Sequence, residues 1–387
     1  MEPENQPQPP ETSSADDLAR AGLASEPLTH APDSRLSRGV EWVFLGGHGL
    51  RAGWAVLIAC LLFNFFKLVA GTVFFVAHLV SEKPEFTPRA AFFGELIPFL
   101  AMVGAAAIAA RLQQRSILDF NLTGPRRSLH FLSGLAFGFA ALSALVGGLA
   151  WGHWLSFGPV ALSGTEIFKL GALWAAVFLL VGCVEEGIFR GYLQFTLTHG
   201  INFWWALGCE AVLCLDLVLF AKGNGVWGVY GIALLGLAPC LWLHLKKVES
   251  SGFWQAAWVT STLFGFIHTF NNGENWIGIF AAAAIGFVFC VSVRVTGSAW
   301  WAIGCHASWD WAETYFYGTA DSGMVAQGHY LSTTPAGNVL WSGGTDGPDG
   351  SLLVLGVILL LLLVLLAIHG RRRSAAATVP AREQLAG

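Results

Sequence analysis

The chain has 387 residues, 55% of them hydrophobic and 12% charged, with a formal net charge of -4. Apolar runs long enough to cross a bilayer recur along most of it, which excludes an ordinary soluble domain, and no basic stripe points to a nucleic-acid partner. Seven cysteines all lie inside apolar runs without CxxC or CxxH spacing, so they read as small core residues and not as zinc ligands.

Residues 1–40 are polar, rich in Pro, Ser and Glu, and lack a signal-peptide order; they read as a disordered cytoplasmic tail. Ten apolar segments follow, at 53–80, 90–110, 129–152, 168–195, 202–221, 226–244, 253–270, 276–294, 298–317 and 350–369. The expected architecture is all-α: a polytopic transmembrane helical bundle of about ten spans. N-terminal helices occupy 53–152, a core occupies 168–317, an extracytoplasmic loop 318–349 follows, and a C-terminal span 350–369 leads into a basic tail, 370–387. With the N-terminus inside, 16 Lys and Arg fall on the cytoplasmic side against four outside, Lys83, Arg89, Lys169 and Lys222. The stretch Gly318 to Gly350 contains none. By the positive-inside rule both termini face the cytoplasm of a multi-pass protein, with the plasma (inner) membrane as its expected location.

Charge inside a span costs on the order of 2.5–3.5 kcal/mol per residue on insertion scales, so each such group needs a partner or a task. In the fourth segment Glu186 and Arg190 are four apart and share a helical face, while Glu185 points about 100° away and is left free. In the seventh, Phe264 and His268 share a face, followed by Asn271, Asn272 and Asn275; in the ninth, His306 and Asp310 repeat the four-residue spacing. Taken singly, each reads as a packed histidine or a structural ion pair. Together, on three helices of a chain this poor in charge, they point to convergence. Helical rise puts Glu185 roughly 26 Å below the outer start of its helix. The four groups are then expected to meet in the middle to cytoplasmic half of the membrane. Elsewhere Lys67 and Glu95 are an expected interhelical pair, and Glu210 and Asp216 have no assignment.

The three motifs, in order, are Glu185-Glu186-Gly-Ile-Phe-Arg190, Phe264-Gly-Phe-Ile-His268 and His306-Ala-Ser-Trp-Asp310. As an ordered set over 168–317 they resemble the CPBP (CAAX protease and bacteriocin-processing, or Abi) intramembrane proteases, whose motifs are EExxxR, FxxxH and HxxxN or HxxxD. The resemblance implies hydrolysis of a peptide bond in a membrane-associated peptide or protein substrate. It assigns Glu185, assisted by His268, to activating water, His306 and Asp310 to positioning it or stabilising the oxyanion, and Glu186, Arg190 and Phe264 to structural support. A carboxylate in a water-poor cavity is a competent general base near neutral pH, and neighbouring histidines supply donors. No cofactor is favoured; were a divalent metal such as zinc present, Glu185, His268 and His306 would be its ligands, although HExxH is absent.

Two features depart from the family pattern. The third motif ends in Asp310, whose ionised form would repel an oxyanion. The 73 residues 191–263 between the first two motifs exceed the usual spacing, and read as an inserted helix pair near 202–244. An even insertion preserves helix direction, so the seventh segment can still run antiparallel to the fourth, which keeps a shared site possible. The alternative readings are a non-enzymatic membrane module (chaperone, immunity or scaffold protein) on the same fold, or a proton-coupled transporter. Paired halves with broken helices, expected for the transporter, are not seen. The substrate stays open among prenylated tails, peptide pheromones, bacteriocin leaders and membrane-protein tails.

Overall fold

The computed structural model describes residues 35–46, 49–80, 86–220, 237–248, 250–271 and 273–377. A short helix, Arg35–Phe44, belongs to a separate unit ending at Gly47, and it starts inside the stretch expected to be a polar tail. The second unit begins at His48 and holds everything below.

Its elements are α1 (Ala52–Val76), α2 (Pro88–Leu112), α3 (Arg127–Trp151), β1 (Leu155–Val160), α4 (Thr165–Glu186), α5 (Gln194–Gly200), α6 (Phe203–Phe220), α7 (Ser251–His268), α8 (Trp276–Thr296), α9 (Trp300–Asp310), β2 (Leu331–Pro335) and α10 (Leu352–Ala377). Residues 237–245 are also helical. Local chemistry sets several starts: the Thr87 hydroxyl accepts from Ala90 N ahead of Pro88, and the Asn275 side chain accepts from Ile277 N and Gly278 N. Two π-helical turns, Gly187–Leu193 and Trp311–Tyr317, follow α4 and α9 directly.

Among the described residues six helices are long and apolar enough to cross a membrane: α1, α2, α3, the continuous Thr165–Gly200, α8, and Leu352–His369 of α10. The sequence count of ten is not reached by that measure, for a physical reason. α7 carries Gln255, Thr260, Ser261 and Thr262 and buries all four inside the bundle, so it needs no apolar coat. α9 has 11 residues before the π turn. Within the inserted pair, Ala206 of α6 and Cys240 of the 237–245 stretch pack together with Val259 of α7, while 221–236 lie outside the described residues.

The connections gather on two sides. On one, β1 pairs antiparallel with β2 (Leu155 opposite Pro335), Gln327 N donates to Phe86 O, and Asn275 binds Asp346 and Gly350. On the other, Ala299 N and Trp300 Nε1 donate to Asn121 O and Leu122 O, and Arg294 reaches Ser250. The two strands are an addition to the expected all-helical fold, formed where two loops of one side meet.

The helices nearest the site touch backbone to backbone. A Cβ at Gly134 or Gly138 of α3 would collide with Trp301 O or Cys305 O of α9, and one at Gly182 of α4 would lie 2.9 Å from Ile303 O. Small residues four apart allow this approach, as in other membrane helix pairs. α9 is thereby wedged between α3 and α4, and the main core of Leu142, Leu145, Leu149, Trp301, Ile358 and Leu365 closes behind it.

Candidate active site

α4 ends on its two glutamates, and the following π turn supplies Arg190. Glu186 and Arg190 are both fully buried, with NH1 donating to Oε1 at 3.0 Å. The guanidinium lies over three aromatic rings, Phe264 at 4.4 Å, Phe289 at 5.3 Å and Phe189 at 5.7 Å from their centroids. One carboxylate and three ring faces thus replace water around a buried cation.

His306 completes this arrangement from α9. Its Nδ1 is 2.9 Å from the same Glu186 Oε1 that holds Arg190. A carboxylate paired with arginine only accepts, so Nδ1 carries the hydrogen and donates. That leaves Nε2 facing the other two acids, 3.4 Å from Asp310 Oδ2 and 3.8 Å from Glu185 Oε2. Glu185 keeps 31% of its side-chain surface exposed and lines the cavity, while Glu186 has none.

His268, the last residue of α7, donates from Nδ1 to the Phe264 carbonyl at 2.7 Å, which leaves Nε2 as its second functional nitrogen. It lines the same cavity, with the Phe264 ring 4.7 Å from its own and 6.1 Å from that of His306. The imidazole beside Glu185 is nevertheless that of His306. The sequence places His268 as the partner of Glu185; the Gly182–Ile303 contact instead brings α9 against α4, and α7 delivers its histidine only at its final residue.

The cavity measures about 250 Å³. Its lining comes from α2, α4, α7, α8, α9 and α10, including Val177 to Glu185 well inside α4, together with Phe86, Glu274, Asp321 and Asp349 of the β1–β2 side's connections. Among the described residues, none of the connections on the opposite side, 113–126, 201–202, 246–248 and 297–299, contributes. The cavity also reaches toward the side of the 318–349 loop, because that loop folds back and contributes Asp321, Ser322, Met324 and Asp349 to the lining.

Sequence reasoning missed Glu95, Glu274, Glu313, Asp321 and Asp349 as cavity residues. Glu313 was within reach, three positions beyond Asp310; the others depend on loop folding. Among the described residues Lys67 and Glu95 make no direct ion pair, but α1 and α2 pack together and the Lys67 charge still acts on Glu95, which turns toward the cavity. Glu210 is buried on α6, away from the cavity, and the Asp216 side chain lies outside the described ones. Burial raises the Asp321 and Asp349 carboxyls, Asp349 to about 8, with neighbouring carboxylates adding to both. Among the described residues no three His, Cys, Asp or Glu side chains are grouped to hold a metal ion, so Glu185, His268 and His306 are not drawn into a ligand set.

A bundle of apolar helices enclosing a carboxylate–histidine cavity is the architecture of an integral, multi-pass membrane protein. Residues 167–312, from the start of α4 into the second π turn, match the Rce1-like type II CAAX prenyl endopeptidases, so the chain carries a domain of the CAAX protease (CPBP) family. No curated protein and no solved structure matches the chain.

Proposed function

We propose that the protein is an intramembrane endopeptidase in which Glu185 activates the attacking water. The observation that carries this reading is the division of labour between adjacent glutamates: Glu186 is locked by Arg190 and His306, whereas Glu185 stands free in the cavity within 3.8 Å of an imidazole.

Glu185 takes a proton from water as its oxygen attacks the scissile carbonyl carbon. The carbonyl oxygen gains the negative charge and is stabilised by N–H donation from Nε2 of His306 in its doubly protonated form. His268, whose Nδ1 hydrogen is held by the Phe264 carbonyl, assists Glu185 by accepting from the water at Nε2. As the tetrahedral intermediate collapses, the C–N bond breaks and the proton held by Glu185 passes to the leaving nitrogen. Glu186 fixes the His306 ring by accepting from Nδ1, so that Nε2 is presented to the substrate. Asp310, 3.4 Å from Nε2, orients that ring and favours its protonated, donating form.

The domain organisation follows the sequence reading: N-terminal helices over 53–152, a protease core over 168–317 with an inserted pair near 202–244, and ten crossings with both termini cytoplasmic. The family domain supports a protein or peptide as substrate; its identity is to be found by comparing the membrane proteomes of wild type and Glu185→Gln. Substrates should accumulate uncleaved in the variant. Identical proteomes, together with unchanged cleavage by the purified variant, would sink the assignment of Glu185.

A further inference from the structure

Among the described residues seven carboxylates line the cavity, Glu95, Glu185, Glu274, Asp310, Glu313, Asp321 and Asp349, against two histidines and no lysine or arginine. The proposed hydrolysis uses Glu185 and Asp310 and leaves the rest without a task. Glu313 stands apart from the others. It is 2% exposed, and its Oε1 has no hydrogen-bond partner. It is carried inward by the Trp311–Tyr317 π turn, one helical turn beyond Asp310. An unpartnered buried carboxylate is costly, and a chain retains one where something charged or protic meets it.

We infer that Glu313, with Asp321 and Asp349, forms a subsite that receives the ammonium or guanidinium group of a basic substrate side chain next to the bond Glu185 attacks. This deepens the protease reading and rests on it for the position of the scissile bond. The carboxylates are too dispersed to group as metal ligands, yet they surround a space that a larger organic cation would bridge. Trp309 supports the arrangement from behind, its Nε1 lying 3.2 Å from both oxygens of Asp349. Apolar walls from Val177, Phe178 and Val181 on one side and Ile285, Val354 and Ile358 on the other suit the flanking residues of an apolar segment. Burial and the neighbouring carboxylates raise the Asp349 carboxyl to about 8, and a cation among these groups would offset their mutual repulsion.

The test is binding to the full-length protein in lipid nanodiscs. The background is Glu185→Gln, so that cleavage does not consume the probe. The probes are a BODIPY-labelled pentapeptide amide, Ala-Leu-Lys-Leu-Ala, and its twin with norleucine for lysine, read by fluorescence anisotropy. The lysine peptide should bind about tenfold tighter, the scale of one buried charge-assisted hydrogen bond. Adding Glu313→Gln should remove that preference, and so should the separate pair Asp321→Asn with Asp349→Asn, which covers the case in which the Glu313 variant fails to fold. Equal binding of the two peptides, or a preference untouched by these substitutions, would overturn the subsite. Cleavage is read separately with Glu185 restored. A lysine preference without any cleavage would leave the subsite standing and remove the protease reading.

Discussion

At the residue scale the decisive asymmetry is between Glu185 and Glu186, neighbours with opposite surroundings. Glu185→Gln keeps the shape and removes the base, so purified protein should lose cleavage while its thermal melt stays that of wild type. Glu186→Gln acts differently. It leaves Arg190, fully buried, without its counter-charge and takes the acceptor from His306 Nδ1. Breaking one side of a buried pair costs about 3–5 kcal/mol, so this variant should melt much lower, accumulate poorly and lose activity as well. A melt equal to wild type would show that Arg190 finds compensation elsewhere. In the metal-free mechanism proposed here, activity in detergent should survive prolonged treatment with EDTA or phenanthroline. Loss on chelation and recovery with zinc would instead make Glu185, His268 and His306 a ligand set.

At the scale of elements, the site depends on how closely α9 approaches α3 and α4. Gly138→Val puts carbon where Cys305 O and Ser308 Oγ already lie, and overpacking of this kind costs about 1–3 kcal/mol. The helices should separate, carrying His306 away from Glu185, so the melt falls and cleavage falls further than Gly147→Ala, which meets nothing within 4 Å, would cause. Equal effects of the two would mean that the α3–α9 contact does not hold the site. The loop 343–351 carries its own dependence on pH. Burial first and then neighbouring carboxylates raise Asp346 to about 9 and Asp349 to about 8, against roughly 3.9 for an unfolded aspartate. Both bind protons more tightly folded than unfolded, so their stabilisation is full below about pH 4 and is lost as pH rises through their folded values. Hydrogen exchange of these amides, corrected for intrinsic rate, should show protection decreasing between pH 5 and 9. Constant protection would contradict the assignment.

For the whole molecule the prediction is sidedness. The β1–β2 pair places 155–160 and 331–335 on one side, and the cavity reaches toward that side. With both termini cytoplasmic, Ser332→Cys should react with an impermeant maleimide added outside intact cells. Reaction only after permeabilisation would invert the topology and turn the cavity toward the cytoplasm. Arg190, which the positive-inside rule assigns to the cytoplasmic side, is buried against Glu186 and three rings, and the bias survives without it.

Helical spans were legible from the sequence because crossing a bilayer forces long apolar runs, and α1, α2, α3, α8 and α10 announce themselves in that way. The Glu186–Arg190 contact was legible too, since a four-residue spacing on a helix is a local distance. The resemblance of residues 168–317 to the CAAX protease family lay in three short motifs, each confined to one helix. What only tertiary structure decided was everything set by contact between elements. The choice of His306 over His268 beside Glu185 comes from glycine-mediated backbone approach, which leaves no mark on either motif. The shared use of Glu186 by Arg190 and His306 requires α4 and α9 to be adjacent. The acidic lining of the cavity comes from a loop whose folding over the helix ends depends on partners far along the chain, such as Asn275 with Gly350. Periodicity and spacing report neighbours along one helix; the identity of neighbours across helices is set by packing of the whole bundle.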